Sequence, residues 1–243
     1  MFSSLFSIGC ISFVWAQDPH FDFEMGLSAS QEIFLGAQAL ERQRIHSPST
    51  EELWAQFLEE DDATELLVQA ELLVQRTTQD WPSGYRRDFL WDIAPAALIS
   101  AKTNQIYPSV VLAQSVLESG WGRSHLAMEH NNLFGVKGQK GDRTVLINTL
   151  ETVRGRVVRR NAYFRHFISW RESIAYHGRL LGSSHYYEFA KPIAQNAKHY
   201  LELIAPRYAS QPDYAEYVHV IIDEYQLDRW DFLLPLFQNR QTD

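Results

Sequence analysis

Cysteine is almost missing from this 243-residue chain: the single copy, Cys10, lies in an uncharged, apolar N-terminal run. A disulfide framework is therefore excluded, and a hydrophobic core has to hold the fold. Beyond that run, no apolar stretch approaches the roughly 20 residues needed to span a bilayer, which argues against stable membrane insertion. The nine histidines lack paired ligand spacing; His125 and His130 stand five apart. No metal and no cofactor are expected from such a pattern. The glycine-spaced "GVKGQKG" of 135–141 lacks the Gly-Lys-Ser/Thr ending of a phosphate loop and reads as a turn. Basic charge is also scarce, with 22 Lys and Arg against 30 Asp and Glu, a net charge of -8. "RGRVVRR" at 154–160 then reads as an exposed face that tolerates an anionic partner, and no nucleic acid is expected.

Hydrophobic residues, by contrast, make up 45% of the chain, with 7 Trp, 11 Tyr and 14 Phe. That suits a dense core or a surface that stacks on flat ligands. "MFSSLFSIGCISFVWA" ends with Val14 and Ala16 in the places that signal peptidase favours. Residues 1–16 are read as an export signal, although no Lys or Arg precedes its apolar part. The expected location is the periplasm or the cell surface. Residues 17–80 carry 14 acids against 3 Arg, whereas 81–243 carry 16 acids against 19 bases. The acidity thus belongs to the N-terminal part, and the remainder would not repel a polyanion.

Helical periodicity covers 28–44 and 50–78, the second broken by the acidic "EEDDATE" of 59–65, which reads as a solvated turn. Ser47-Pro48-Ser49-Thr50 supplies a break and an N-cap. The turn cluster Asp80–Gly84 is the expected boundary between an acidic helical N-terminal region, 17–80, and the main domain, 81–243. Residues 17–80 are also the candidate contact for other cell-envelope proteins. Further helices are expected over 88–103, from Pro108 to Gly120, and over 169–181, 188–204 and 212–225. Alternation at 144–148 and 156–165 predicts a short hairpin. The fold class is mainly α, with a small β-hairpin lobe and an N-terminal helical appendage.

The stretch "VLAQSVLESGWGRSHLAMEHNNLFGVKG" carries the chemistry. At 100° per residue, Val110 and Leu117 fall together while Glu118 lies about 80° away, under Val111 and Gln114. A carboxyl group at the rim of a buried face, in the last turn of a helix, has its pKa raised by desolvation and by the helix dipole. A carboxyl kept protonated near neutral pH is what a general acid requires. Trp121 offers a flat face to a sugar ring, and Asn131 and Asn132 have donors and acceptors suited to hydroxyl and acetamido groups. Taken alone, Glu-Ser-Gly fits an ion pair between Glu118 and a basic residue such as Arg123 better than it fits a catalytic acid.

"PSVVLAQSVLESGWGRS" followed by "NNLFGVKG" resembles the glucosaminidase-type peptidoglycan hydrolases, glycoside hydrolase family 73. Two later blocks, "TLETVRGRVVRRNAYFRHFISWRESIAYHGRLL" and "PRYASQPDYAEYVHVII", extend the resemblance over about 89–227. It implies a lysozyme-like helical domain and a substrate of peptidoglycan glycan strands. It further implies that Glu118 is the general acid, that Glu151 is a second carboxylate on the hairpin, and that Tyr214 lines the cleft. Trp121, Asn132 and Phe134 match the substrate-positioning wall; Asn131 and Tyr208 join them as substrate-binding candidates. Thr152 departs from the aromatic usual after the hairpin Glu, so Glu129 and Asp142 stay alternatives to Glu151. The implied activity is endo-β-N-acetylglucosaminidase, with a muramidase, a lytic transglycosylase and a non-catalytic wall-binding module as rivals. The second step is open between water activated by Glu151 and attack by the substrate's own acetamido oxygen.

Overall fold

The computed structural model describes residues 49–231, apart from 82, 142, 154 and 155, and only the backbone of 150–153 and 156–158. The expected export signal and the helix expected over 28–44 lie outside the described residues.

Ser49 starts α1 (Thr50–Glu59) through a capping box: its hydroxyl accepts from Glu52 N while the Glu52 carboxylate takes Ser49 N. The acidic run then has a structural reason. Asp62 accepts from the backbone N–H groups of Thr64 and Glu65 and caps α2 (Ala63–Thr77), so the 50–78 periodicity is two helices. α3 (Tyr85–Asn104) and α4 (Pro108–Ser119) form the centre. Ile93, Ala97, Leu98 and Ala101 of α3 and every residue from Val110 to Ala113 of α4 are fully buried. α4 is buried on nearly every side, and its polar Ser115 and Ser119 are accommodated there because their hydroxyls donate to the carbonyls of Val111 and Ser115.

α5 (His125–His130) follows, a six-residue helix capped by Ser124 that periodicity does not reveal. The hairpin comes next: β1 (Thr144–Val153) pairs antiparallel with β2 (Arg156–Arg165), from Thr144 opposite Arg165 to Val153 opposite Arg156. Lys137 adds an isolated bridge to Phe164 on the other edge of β2. Phe164 is buried beneath, and such anchoring is what a two-stranded ribbon needs in water. α6 (Trp170–Ser183), α7 (Ala197–Tyr208) and α8 (Tyr214–Glu224) complete the α-helices among the described residues. α6 crosses α3 at backbone distance because Gly178 and Gly182 face it; a Cβ on Gly178 would meet Ser100 Oγ at 1.8 Å.

The helix expected over 188–204 is a correction. Only Glu188–Ala190 makes a 3-10 turn, and α7 starts at Ala197 under the Asn196 cap. Lys191 Nζ donates to Asn104 O and Gly182 O, each at 2.7 Å, which ties the intervening turn to the C-terminal ends of α3 and α6. That long-range contact, with Pro192 beside it, overrides the local periodicity.

The turn expected at 80–84 does separate α2 from α3, but the residues on its two sides share one core. Phe57, Leu73 and Val74 belong to the same buried cluster as Leu90, Leu98 and Trp230. Trp230 Nε1 donates to Thr77 Oγ1 at 2.8 Å, Arg229 Nη1 to Thr77 O at 2.6 Å, and Lys102 Nζ to Phe57 O at 3.0 Å and to Glu60 O.

Candidate active site

α4 delivers Glu118 at its last turn and then stops abruptly. Gly120, Trp121 and Gly122 adopt φ of 58°, 64° and 74°, three left-handed residues in succession. Glycine takes this conformation without strain, and a tryptophan there is uncommon. Ser119 holds the turn: its hydroxyl donates to Ser115 O at 2.6 Å and accepts from Gly122 N at 2.7 Å. No side chain fits at Gly122, where a Cβ would lie 2.8 Å from Phe89 and 2.9 Å from Trp170. The Ser-Gly-Trp-Gly sequence is therefore the device that ends α4 one residue past its glutamate. At the other end, Asp231 accepts from Ser109 N at 3.0 Å and fixes the start of the helix.

Glu118 is half-buried as a residue, and protein surrounds its carboxyl group closely enough that desolvation pushes its pKa up to about 8. Tyr214, the first residue of α8, donates its hydroxyl to Glu118 Oε1 at 2.9 Å, a bond that pulls the pKa part of the way back. Gln114, one turn earlier on α4, donates Nε2 to the Tyr214 hydroxyl at 3.1 Å. Tyr208, at the C-terminal end of α7, packs beside Tyr214 with ring centroids 5.4 Å apart. Burial, then the nearby Glu118, raises both phenols well above their ordinary pKa, so both remain protonated donors. Behind Tyr208 stands His177 of α6, its Nε2 3.2 Å from the Tyr208 hydroxyl. Phe134 stacks on that imidazole at 3.8 Å. Arg123, the alternative partner of Glu118, lies instead over the Tyr85 ring, 5.3 Å from its centroid.

The expected site residues divide into two groups. Glu118, Tyr214, Tyr208 and, through His177, Phe134 are brought together. Trp121 follows Glu118 by three residues, and its ring is engaged by others: the Arg86 guanidinium lies 5.0 Å over it and Tyr225 packs edge-on at 4.8 Å. Asn132 is 1% exposed, donates Nδ2 to Val136 O and Arg165 O, and accepts from Val136 N. It braces the loop before the hairpin and has no free donor for a substrate. Asn131 ends α5 in the left-handed conformation and donates to Phe167 O. Glu151 stands on β1 opposite Val158, near the hairpin turn; its side chain, and all of Asp142, lie outside the described residues. Glu129 is exposed on α5.

Among the described residues no group of three His, Cys, Asp or Glu is placed to hold a metal ion. Gln114 and His177 are the residues that sequence reasoning missed. Gln114 is visible only as a polar residue one turn from Glu118 on an apolar helix; His177, 59 positions away, has no local signal. The arrangement is that of a protonated carboxylic acid with one oxygen held from behind, which is suited to protonating a leaving oxygen.

A family model for glucosaminidase, described as mannosyl-glycoprotein endo-beta-N-acetylglucosaminidase, matches residues 94–227. The chain is 35% identical over 153 residues to the exo-glucosaminidase LytG of Bacillus subtilis, covering 60% of this chain and 54% of LytG. It is 34% identical over 172 residues to a protein of Lactococcus lactis subsp. cremoris named "Probable N-acetylmuramidase", covering 66% and 39%. The chain thus spans about half or less of the curated relatives' length. Among solved structures, the catalytic domain of the autolysin Auto from Listeria monocytogenes superposes with a TM-score of 0.56 at 28% identity, over 65% of this chain and 95% of that one. An N-acetylmuramoyl-L-alanine amidase from Staphylococcus aureus gives 0.54 at 36% identity, over 62% and 44%.

Proposed function

The chain belongs to the glucosaminidase family of glycoside hydrolases, and from that premise we propose that it hydrolyses peptidoglycan glycan strands as an exported endo-β-N-acetylglucosaminidase. The observation that carries the proposal is the Glu118 carboxyl, lifted to about 8 by desolvation and held through Oε1 by Tyr214. At neutral pH the group is protonated, and it gives its proton to the glycosidic oxygen as the bond on the reducing side of N-acetylglucosamine breaks. Glu151 on the hairpin then activates water with inversion, or orients an acetamido oxygen that attacks with retention. Inversion needs the two carboxyl groups roughly 6.5–9.5 Å apart when substrate is bound. No nucleic acid, metal or cofactor enters this reading, and residues 17–80 are the segment proposed to meet other envelope proteins.

A second reading has a specific support, the likeness to the relative named "Probable N-acetylmuramidase". A muramidase would use the same acid on the neighbouring bond. Mass spectrometry of digested sacculi separates the two. New reducing ends on N-acetylglucosamine are expected; reducing muramic acid ends would support the muramidase, and anhydromuramic ends a lytic transglycosylase. Binding to sacculi with no soluble fragment released would leave a wall-binding module.

A further inference from the structure

Two buried polar atoms behind the site have no hydrogen-bond partner among the described residues: Gln114 Oε1 and His177 Nδ1. Both side chains are fully buried. In each, the other polar atom meets a tyrosine oxygen, Gln114 Nε2 at Tyr214 and His177 Nε2 at Tyr208. A buried N–H with no acceptor is a rarer and costlier omission than an unanswered lone pair. That preference sets both orientations. The Gln114 amide keeps its N–H groups toward Tyr214 and leaves an oxygen unanswered. His177 is neutral, because burial pushes its pKa down to about 3, and so carries one ring proton. On Nδ1 that proton would face no acceptor, whereas on Nε2 it reaches the Tyr208 oxygen. The flat stack of Phe134 on the imidazole, 5° between planes, holds the ring in that position.

We propose that Gln114 and His177 are positioning residues that donate from behind to Tyr214 and Tyr208, so that each tyrosine turns its single hydroxyl proton forward into the site. Tyr214 directs its proton onto Glu118 Oε1, which leaves Oε2 as the oxygen that carries the transferable proton. Tyr208 directs its proton toward the side where Glu118 and Tyr214 lie, as a donor for an acceptor oxygen of bound glycan. The assignment rests on Glu118 being the general acid of a glycan hydrolase.

The experiment is a pair of double-mutant cycles on kcat/KM for release of reducing ends from purified sacculi. Gln114→Met and His177→Phe remove the donors, and Tyr214→Phe and Tyr208→Phe remove the hydroxyls they act through. Each donor variant should lose about 2- to 13-fold, the worth of one net hydrogen bond. In the background of its own tyrosine variant it should lose nothing further. Losses that simply multiply would overturn the proposal, as would full activity in both donor variants. Gln114→Met should also move the alkaline limb of the pH profile upward, since Tyr214 then holds the Glu118 carboxylate less firmly; a merely structural loss leaves that limb in place. If the donor variants do not fold, long-range proton–nitrogen NMR of the wild-type His177 ring decides. A proton on Nε2 supports the proposal, and a proton on Nδ1 refutes it. Wild-type protein that releases no reducing ends would refute the proposed function, and the imidazole measurement would still stand as a separate result.

Discussion

Replacing Glu118 by Gln should abolish turnover and stabilise the fold, and the two effects have one cause. The folded state holds a proton on Glu118 up to about pH 8, whereas the unfolded chain releases it near the ordinary value of 4.5. The stability that depends on this proton is fully present below pH 4.5 and is lost as the pH rises through 8. Each intervening unit costs about 1.4 kcal/mol, so at pH 7 the wild type forgoes about 3 kcal/mol. Gln has the same shape, accepts from Tyr214 through its oxygen and has no proton to lose. Glu118→Gln should therefore melt roughly 6–12 °C above wild type at pH 7, from about 2–4 °C per kcal/mol for a chain of this size. At pH 4.5 the difference should vanish. Turnover should fall by about 100-fold or more, because the proton donor is gone. Calorimetry of both proteins at pH 4.5, 6, 7 and 8 is the assay. Parallel melting curves at every pH would show that the Glu118 carboxyl is not desolvated, and would refute the argument for its protonated state.

Gly122→Ala should cost about 2–4 kcal/mol in urea unfolding, since it combines left-handed strain with a Cβ pressed against Phe89 and Trp170; a loss under 1 kcal/mol would mean that the turn relaxes. A protein starting at Trp81 should be insoluble or melt far below the parent, because Phe57, Leu73 and Val74 leave a shared core in which each large side chain contributes roughly 1.5–3 kcal/mol; a cooperative melt near that of the parent would make residues 49–80 a separate unit. Glu151→Gln should depress kcat severely, with partial rescue by azide, if that carboxylate activates water, and only modestly if it orients an acetamido nucleophile. NMR of the anomer first released checks the assignment independently: α for inversion, β for retention.

What the sequence disclosed and what it concealed differ in range. The end of α4 was legible because its causes are local: a glycine after the last helical residue, an apolar stripe before it and a carboxylate at the rim. The hairpin and the α1 cap were legible for the same reason. The break between 190 and 197 was not, since Lys191 there holds backbone carbonyls of Asn104 and Gly182, two other helices. Asn132 shows a different limit. Its amide reads as a ready donor to a sugar, and only the folded chain reveals that Val136 and Arg165 already occupy it. His177 is the extreme case, a residue with no signal in its own neighbourhood and its partner Tyr208 on another helix.

The chemistry of the site follows as much from where positive charge is kept as from what surrounds the acid. A guanidinium beside a carboxylate would hold it ionised and end its use as an acid near neutral pH. Two arginines stand near this helix end, and both are engaged elsewhere. Arg86 lies over Trp121 and donates to the Tyr225 hydroxyl at 2.5 Å, while Arg123 lies over Tyr85. The groups described against Glu118 are neutral donors, Tyr214 directly and Gln114 through it. Neutral donors fix the geometry of one carboxyl oxygen at the cost of a small downward pull on the pKa, whereas desolvation supplies the larger upward push. Trp121, forced into left-handed backbone between two glycines, thus has a use that its flat face does not suggest. It gives Arg86 an aromatic surface on which to rest while that guanidinium meets Tyr225 and Glu224.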